Sequence, residues 1–153
     1  MVIFLATGAY LGYAPVASGT FGTLAGVAFY PAFEALRQLS PSLYVLTFCA
    51  LVAAAIVIAG EAEQIFGEKD SGKITIDEVA GYIAATLFVR PSLGVVAASF
   101  LLFRFFDVVK VWPASHFDRV VHGGPGVVLD DVISGLYANV ALRALAWLSG
   151  IPL

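Results

Sequence analysis

The sequence predicts an all-α protein, a compact bundle of about five to six helices, several of them membrane-spanning or membrane-embedded. Of its 153 residues, 60% are hydrophobic and 12% are charged, and the mean hydropathy is +0.93. Soluble domains are usually about half apolar and about a quarter charged. Residues 1–33 and 42–59 carry no charged side chain. These observations indicate that lipid, rather than water, is the main solvent of the chain.

Five apolar segments account for the predicted helices. They are longer than typical strands, and prolines or polar runs separate them, which favours helix over strand. A helix needs about 20 residues to cross the hydrocarbon core, and the second segment meets that length most comfortably. The sequence contains no internal repeat or linker, so we expect a single domain over residues 1–153. The segments cover residues 20–39, 42–60, 77–89, 91–106 and 127–148.

The order of these segments predicts that the acidic side chains gather on one face. If successive helices reverse direction, residues 12–22, 61–76 and 107–126 emerge on the same side, together with the first turn of the last helix. This side carries five Lys and Arg residues against three on the other, which favours a cytoplasmic location. Ten of the eleven acids are expected here, all except Glu34. They are Glu61, Glu63, Glu68, Asp70, Asp77, Glu78, Asp107, Asp118, Asp130 and Asp131.

Three acidic clusters stand at predicted helix ends, namely Asp77 with Glu78, Asp107, and Asp130 with Asp131. Charged groups near a bilayer are costly and usually face a protein interior or an aqueous site. Capping and the helix dipole explain an acid at a helix start, such as Asp77 or Asp130. They do not explain Asp107, which is predicted at a helix C-terminus, where a negative charge is disfavoured. We therefore expect a cation beside Asp107.

Two kinds of cation fit this position. Arg104 and Lys110 lie three residues before and after Asp107, on the same side of the helix. A divalent metal is the other candidate, because five converging carboxylates would repel one another without one. Mg²⁺ prefers carboxylate oxygens and keeps waters that a substrate phosphate can replace. The guanidinium and the ammonium would suit an anionic substrate.

A second unusual stretch places Ser18, Gly19 and Thr20 just where a helix is expected to begin. Free amides at a helix N-terminus form an anion site. The alternative is an ordinary turn in which Ser18 or Thr20 caps the helix. From these residues alone, both interpretations stay open.

Taken together, the residues predict a membrane enzyme that acts on an anion through a divalent metal. The alternative is a small membrane cation-binding transporter or channel component. That alternative predicts acids deep within the spans, whereas here they gather at the ends on one side. The net charge of −3 and the lack of a basic cluster argue against a nucleic-acid partner.

Four stretches of the sequence resemble the signatures of the bacterial phosphatidylglycerophosphatase A family, in order and through nearly the whole chain. Ser18 and Val111 depart from the pattern, since the family tends to have proline at both positions. The polar groups of the signatures are nevertheless retained. The stretches are ASGTFGT at 17–23, IDEVAG at 76–81, FRFFDVVKVWP at 103–113 and GGPGVVLDD at 123–131.

The resemblance implies a magnesium-dependent phosphatase that converts phosphatidylglycerol phosphate to phosphatidylglycerol and inorganic phosphate. We expect it in the bacterial inner membrane, among membrane lipids, with its active face toward the cytoplasm. Asp107 or Asp131 would position or deprotonate the attacking water, while Lys110 and Arg104 would neutralise charge on the phosphate. Carried over by motif position, the metal candidates are Asp77, Glu78, Asp107, Asp130 and Asp131, and the substrate-binding candidates are Ser18, Gly19, Thr20, Arg104 and Lys110.

Overall fold

The computed structural model describes residues 1–69 and 71–152, and these contain seven α-helices, one 3₁₀ helix and no β-strand. The expectation of an all-α fold is confirmed. The 3₁₀ helix covers Leu11–Tyr13. The α-helices are α1 (Val2–Ala6), α2 (Ser18–Leu39), α3 (Pro41–Phe66), α4 (Ile76–Ala85), α5 (Leu93–Val109), α6 (Ala114–Val120) and α7 (Gly124–Ser149).

The five predicted segments correspond to α2, α3, α4, α5 and α7, with some differences at their ends. The sequence predicts that α3 stops at residue 60, but the helix continues to Phe66 and ends at Gly67, whose φ of 66° is left-handed. Glu, Ala and Gln are good helix formers, so the polar residues that follow position 60 extend the helix instead of ending it. The short helix α1 precedes the first predicted segment, and α6 lies in a stretch that the sequence predicts as a connection.

Helix α4 lies at the centre of the bundle, with eight of its ten residues buried. It packs closely on α7 because both helices have glycine at the crossing. A Cβ atom added to Gly135 would collide with the backbone carbonyl of Gly81 and lie 2.9 Å from the Ala84 Cβ. Small residues that let two backbones approach in this way are typical of helix packing in membranes.

The C-terminal end of α4 is held by side chains from three other helices. Asn139 of α7 donates to the carbonyl oxygens of Ala85 at 2.9 Å and Leu87 at 3.0 Å. Arg143 of α7 donates to Leu87 O, Tyr44 of α3 accepts from Phe88 N, and Tyr30 of α2 donates to Val89 O. Backbone groups at a helix end need such partners when water is excluded.

Two helices, α3 and α7, are long and apolar enough to cross a membrane, with mean hydropathies of 2.5 and 1.3. Helix α4, at ten residues, is only about 15 Å long and does not reach that length. Glu34, expected away from the other acids, is buried on α2 and accepts hydrogen bonds from Arg37 and Gln38. This ion pair neutralises its charge within the apolar bundle.

Candidate active site

A polar cavity of about 160 Å³ lies where α2, α4 and α7 begin and α5 ends. All five acidic residues that the sequence predicts as metal ligands line it, together with Lys110. The fold thus brings the predicted helix ends together. The lining residues are Ser18, Ser71, Gly72, Ile74, Asp77, Glu78, Asp107, Lys110, Val127, Asp130 and Asp131.

Three of these carboxylates form a compact group in the lining of the cavity. Asp77, Glu78 and Asp131 each offer one oxygen, and these oxygens lie within 4.8 Å of one another. Asp77 and Asp131 are 7% and 4% exposed, so water screens their mutual repulsion poorly. Oxygens of this kind at this spacing suit a hard divalent cation. We call Asp77, Glu78 and Asp131 the acidic triad.

Glu78 shows most directly how unfavourable the acidic triad is by itself. Burial raises the pKa of Glu78 to about 8, and the nearby carboxylates of Asp131 and Asp107 add to the shift. Its Oε2 atom is buried and has no hydrogen-bond partner within residues 1–69 and 71–152. A buried acceptor without a donor is costly. A cation bound by the acidic triad would satisfy this oxygen and neutralise the charge.

Asp107 lies beside the acidic triad and has a cationic partner of its own. Arg104, one turn earlier on α5, donates from Nη1 to Asp107 Oδ2 at 2.6 Å. Both side chains are partly exposed, at 23% and 13%. The expectation of a cation beside Asp107 is therefore met by Arg104, while metal binding by Asp107 stays a prediction.

Lys110 ends α5 in a left-handed conformation, with φ of 47°. Its ammonium group donates to Asp130 Oδ2 and to Asp118 Oδ1, both at 2.6 Å. Burial alone would lower the pKa of Lys110, but hydrogen bonds to Asp118 and Asp130 outweigh it and raise the pKa above its ordinary value. Lys110 is therefore a permanent positive charge in the wall of the cavity.

The N-terminus of α2 closes another side of the cavity. Its N-cap is Ala17, with φ of 55°, and no side chain caps the helix, so the alternative in which Ser18 or Thr20 caps it is not realised. Ser18 lines the cavity. A Cβ atom added to Gly19 would collide with Glu78 Oε1 and lie 2.9 Å from Arg104 Nη1. Glycine at position 19 therefore lets the first turn of α2 approach these charged groups.

The family model that describes phosphatidylglycerophosphatase A matches residues 4–146. The chain belongs to the phosphatidylglycerophosphatase A family. Proteins of this name in Escherichia coli (strain K12) and Haemophilus influenzae are 34% and 32% identical to it, over 86% and 94% of this chain and 76% and 87% of theirs. The chain is accordingly an enzyme, a phosphatase, which sets aside the transporter or channel alternative.

The chain is also similar to a "Putative phosphatidylinositol-3-phosphatase" of Bacteroides thetaiotaomicron. The two are 32% identical over 155 residues, which cover 97% of this chain and 95% of that one. No solved structure gives a significant match.

Some sequence-based expectations for this phosphatidylglycerophosphatase A family member were wrong. Asp130 and Asp131 are not in the first turn of their helix, because α7 already begins at Gly124. They lie in the second turn, so the helix-dipole explanation for Asp130 fails. Gly19, Thr20 and Arg104 are not part of the cavity wall that the described residues form, so substrate binding by these three residues stays a prediction. Asp70 lies outside the described residues.

Other contacts of the site were missed from the sequence. Ser71 and Gly72 line the cavity, although the loop that carries them showed no recognisable signal. Asp118 was placed on the correct face but given no role, and it contacts Lys110. Asp118 is eight positions after Lys110, and only the fold of α6 brings them together.

Proposed function

We propose that this phosphatase is magnesium-dependent and removes the terminal phosphate of phosphatidylglycerol phosphate, which yields phosphatidylglycerol and inorganic phosphate. The observation that carries the proposal is the placement of an acidic triad and a fixed ammonium group in one cavity. Such a cavity offers one side that attracts a metal and another that attracts a phosphate. The names of the two phosphatidylglycerophosphatase A relatives support the choice of substrate.

The acidic triad is the part of the cavity that fits Mg²⁺. Asp77, Glu78 and Asp131 would hold the ion through carboxylate oxygens, and the buried Glu78 Oε2 supports this assignment. When bound, Mg²⁺ supplies positive charge that polarises the phosphate and stabilises charge in the transition state. Asp130 and Asp107 remain further candidate ligands that line the same cavity.

The cationic side of the site binds and orients the phosphate. Lys110 lines the cavity, and its ammonium group donates to Asp130, which also lines it. Arg104 lies next to the uncapped N-terminus of α2, where Ser18 and Gly19 present backbone amides. Lysine, arginine and free helix amides are the groups that proteins use to bind phosphate oxygens. These groups would neutralise the charge that develops on the phosphate during hydrolysis.

We propose that Asp107, rather than Asp131, deprotonates the attacking water. Asp131 belongs to the compact acidic triad, whereas Asp107 is not one of its three members and accepts a hydrogen bond from Arg104. Asp107 would accept the proton of the water as its oxygen attacks phosphorus. The bond from phosphorus to the glycerol oxygen then breaks, the departing oxygen takes a proton from solvent, and Asp107 releases its proton to solvent.

The position of the cavity at one end of the bundle suits a lipid substrate. The acyl chains would remain beside the apolar helices, and the headgroup would reach the polar end. That end carries the larger number of Lys and Arg residues, which supports a cytoplasmic active face in the bacterial inner membrane.

The proposal is tested by phosphate release from phosphatidylglycerol phosphate in detergent micelles, with Mg²⁺ and then with a chelator. We expect activity only with Mg²⁺. Asp107→Asn and Asp131→Asn should each lose about a hundred-fold or more in turnover while remaining folded. Glu61→Gln is the matched control, because Glu61 is an exposed acid of α3 near the same end. Near-normal turnover of either aspartate variant would contradict the assignment.

A substrate panel separates this activity from related ones. It should compare phosphatidylglycerol phosphate with phosphatidic acid, phosphatidylinositol 3-phosphate and soluble glycerol phosphate. Phosphatidylinositol 3-phosphate is included because of the name of the Bacteroides relative. We expect the highest kcat/KM with phosphatidylglycerol phosphate, and a clear preference for another member of the panel would overturn the proposed substrate.

A further inference from the structure

We propose that Asp118 is a positioning residue of the phosphatase, which aims the ammonium group of Lys110 at the substrate phosphate. This inference rests on the proposed function, because it gives Lys110 the role of phosphate binder. It assigns a role to a residue of the short helix α6, which lies outside the four signature stretches of the sequence.

Asp118 contacts Lys110 but does not line the cavity. Among the described residues that form the cavity wall, Lys110 is present and Asp118 is not. The Asp118 carboxylate nevertheless contacts Lys110 Nζ at 2.6 Å, the same distance as that from Nζ to Asp130. Asp118 is therefore close enough to fix the ammonium group without touching a substrate in the cavity.

The number of donors on the ammonium group makes this arrangement specific. A lysine ammonium has three N–H donors. Asp118 and Asp130, from α6 and α7, take two of them. Two fixed contacts on different sides of Nζ determine the direction of the third donor, which is left for an oxygen of a phosphate in the cavity.

A single carboxylate would not fix the direction of the Lys110 ammonium group. The side chain of lysine is a flexible four-carbon stem, and its head group rotates freely. If only the buried Asp130 held it, Lys110 could turn about that one contact toward the acidic triad. Asp118, 29% exposed and on the outer side, opposes that movement. The loss of Asp118 should thus misdirect Lys110 and leave its charge in place.

Helix α6 is itself held by contacts that do not involve the Asp118 carboxylate. Ala114, at its start, is fully buried, and Lys69 Nζ donates to the backbone oxygen of Asp118 at 3.3 Å. Lys69→Ala therefore removes a contact to the same residue of α6 and leaves the pair of Asp118 and Lys110 intact. It is a matched control for any general loosening of α6.

The test is a double-mutant cycle on the full-length protein with Mg²⁺. Its members are the wild type, Asp118→Asn, Lys110→Gln and the double variant, with Lys69→Ala as control. Each is assayed for phosphate release from phosphatidylglycerol phosphate. Binding of inorganic phosphate is measured by calorimetry on the same samples, so that a very slow Lys110→Gln variant still gives a result. Thermal unfolding confirms that equal amounts of folded protein are compared.

We expect Asp118→Asn to lower kcat/KM about ten- to hundred-fold and to weaken phosphate binding, because a small misplacement of a binding group is costly. In the Lys110→Gln background the same change should have almost no further effect. Asp118→Glu, which keeps the carboxylate, should recover part of the loss. Lys69→Ala should behave as the wild type.

Wild-type turnover and phosphate binding by Asp118→Asn would overturn the inference. So would a loss of the same size in the Lys110→Gln background, because Asp118 would then act independently of Lys110. A failure of the proposed function looks different, since the wild type itself would not release phosphate from this substrate with Mg²⁺.

Discussion

Arg104 and Asp107 stand one turn apart on α5 and are joined by a 2.6 Å hydrogen bond from the guanidinium to the carboxylate. The guanidinium also approaches the first turn of α2 at Gly19. Arg104 therefore links Asp107, which we propose deprotonates the attacking water, to the N-terminus of α2, which we propose binds the phosphate.

A lysine at position 104 would keep the charge but could not reach both places, because its ammonium group lacks the planar fork of donors. We expect Arg104→Lys to lower kcat/KM about ten- to hundred-fold, the loss typical of a hydrogen bond to a charged group. Arg90→Lys, an exposed position beyond the opposite end of α4 from Asp77 and Glu78, is the control. Equal activity of both variants in the micelle assay would refute the role of Arg104.

Gly19 is expected to be required for activity because of its surroundings. The Cβ of Gly19→Ala would collide with the Glu78 carboxylate and crowd Arg104. We predict at least a ten-fold loss of turnover, since a small displacement of groups in an active site is costly. Gly94→Ala is a good comparison, because a Cβ added there meets no atom within 4 Å. Gly94→Ala should keep full activity. If Gly19→Ala were as active as Gly94→Ala, the prediction would be contradicted.

The protonation of Glu78 predicts how pH affects the metal requirement. With its pKa raised to about 8, the carboxyl group holds a proton at neutral pH in the absence of metal, and a bound cation must displace that proton. The concentration of Mg²⁺ needed for half-maximal activity should therefore fall as pH rises toward about 8. Titrations of activity with Mg²⁺ at several pH values check this. A requirement that is independent of pH would contradict it.

The same shift predicts an effect on stability. The pKa of Glu78 in the fold lies above its ordinary value of 4.5, so the metal-free protein binds a proton more tightly than the unfolded chain does. The contribution of Glu78 to stability is therefore greatest below that ordinary value and declines as pH rises toward about 8. Thermal unfolding in a chelator should show this decline, and it should be smaller in Glu78→Gln.

Asn139 is expected to matter for stability more than for chemistry. It donates to two carbonyl groups at the end of α4, away from the cavity. Asn139→Leu is similar in volume but leaves these carbonyls without that donor, at a cost of about 1–3 kcal/mol. We expect a lower midpoint of thermal unfolding and unchanged kcat for the folded fraction. A large loss of kcat at full stability would contradict this expectation.

The long helices and most of the site could be predicted because both depend on local patterns. Apolar runs give α2, α3, α5 and α7, and acids placed between such runs must emerge where the helices end. The end of α3 was harder to predict, since a helix with Glu61 and Glu63 on an outer turn differs little in sequence from a helix followed by a polar loop.

Contacts that depend on tertiary structure could not be predicted in the same way. The seven residues of α6 are too few to show a helical period, so nothing in the sequence indicates that Asp118 folds back onto Lys110. The different partners of Asp130 and Asp131 are also set by tertiary contacts. The sequence treats Asp130 and Asp131 as equivalent neighbours, whereas the fold directs one to Lys110 and the other to the acidic triad.

The attachment of the far end of α4 has a consequence for how the enzyme meets its substrate. Five hydrogen bonds from α2, α3 and α7 fix the turn that follows α4, so this helix cannot slide along its axis without breaking them. Asp77 and Glu78, at its other end, are thereby held at a constant depth. In the proposed reaction, the lipid substrate must therefore bring its phosphate to this fixed position, because the carboxylates cannot move along the axis of α4 to reach it.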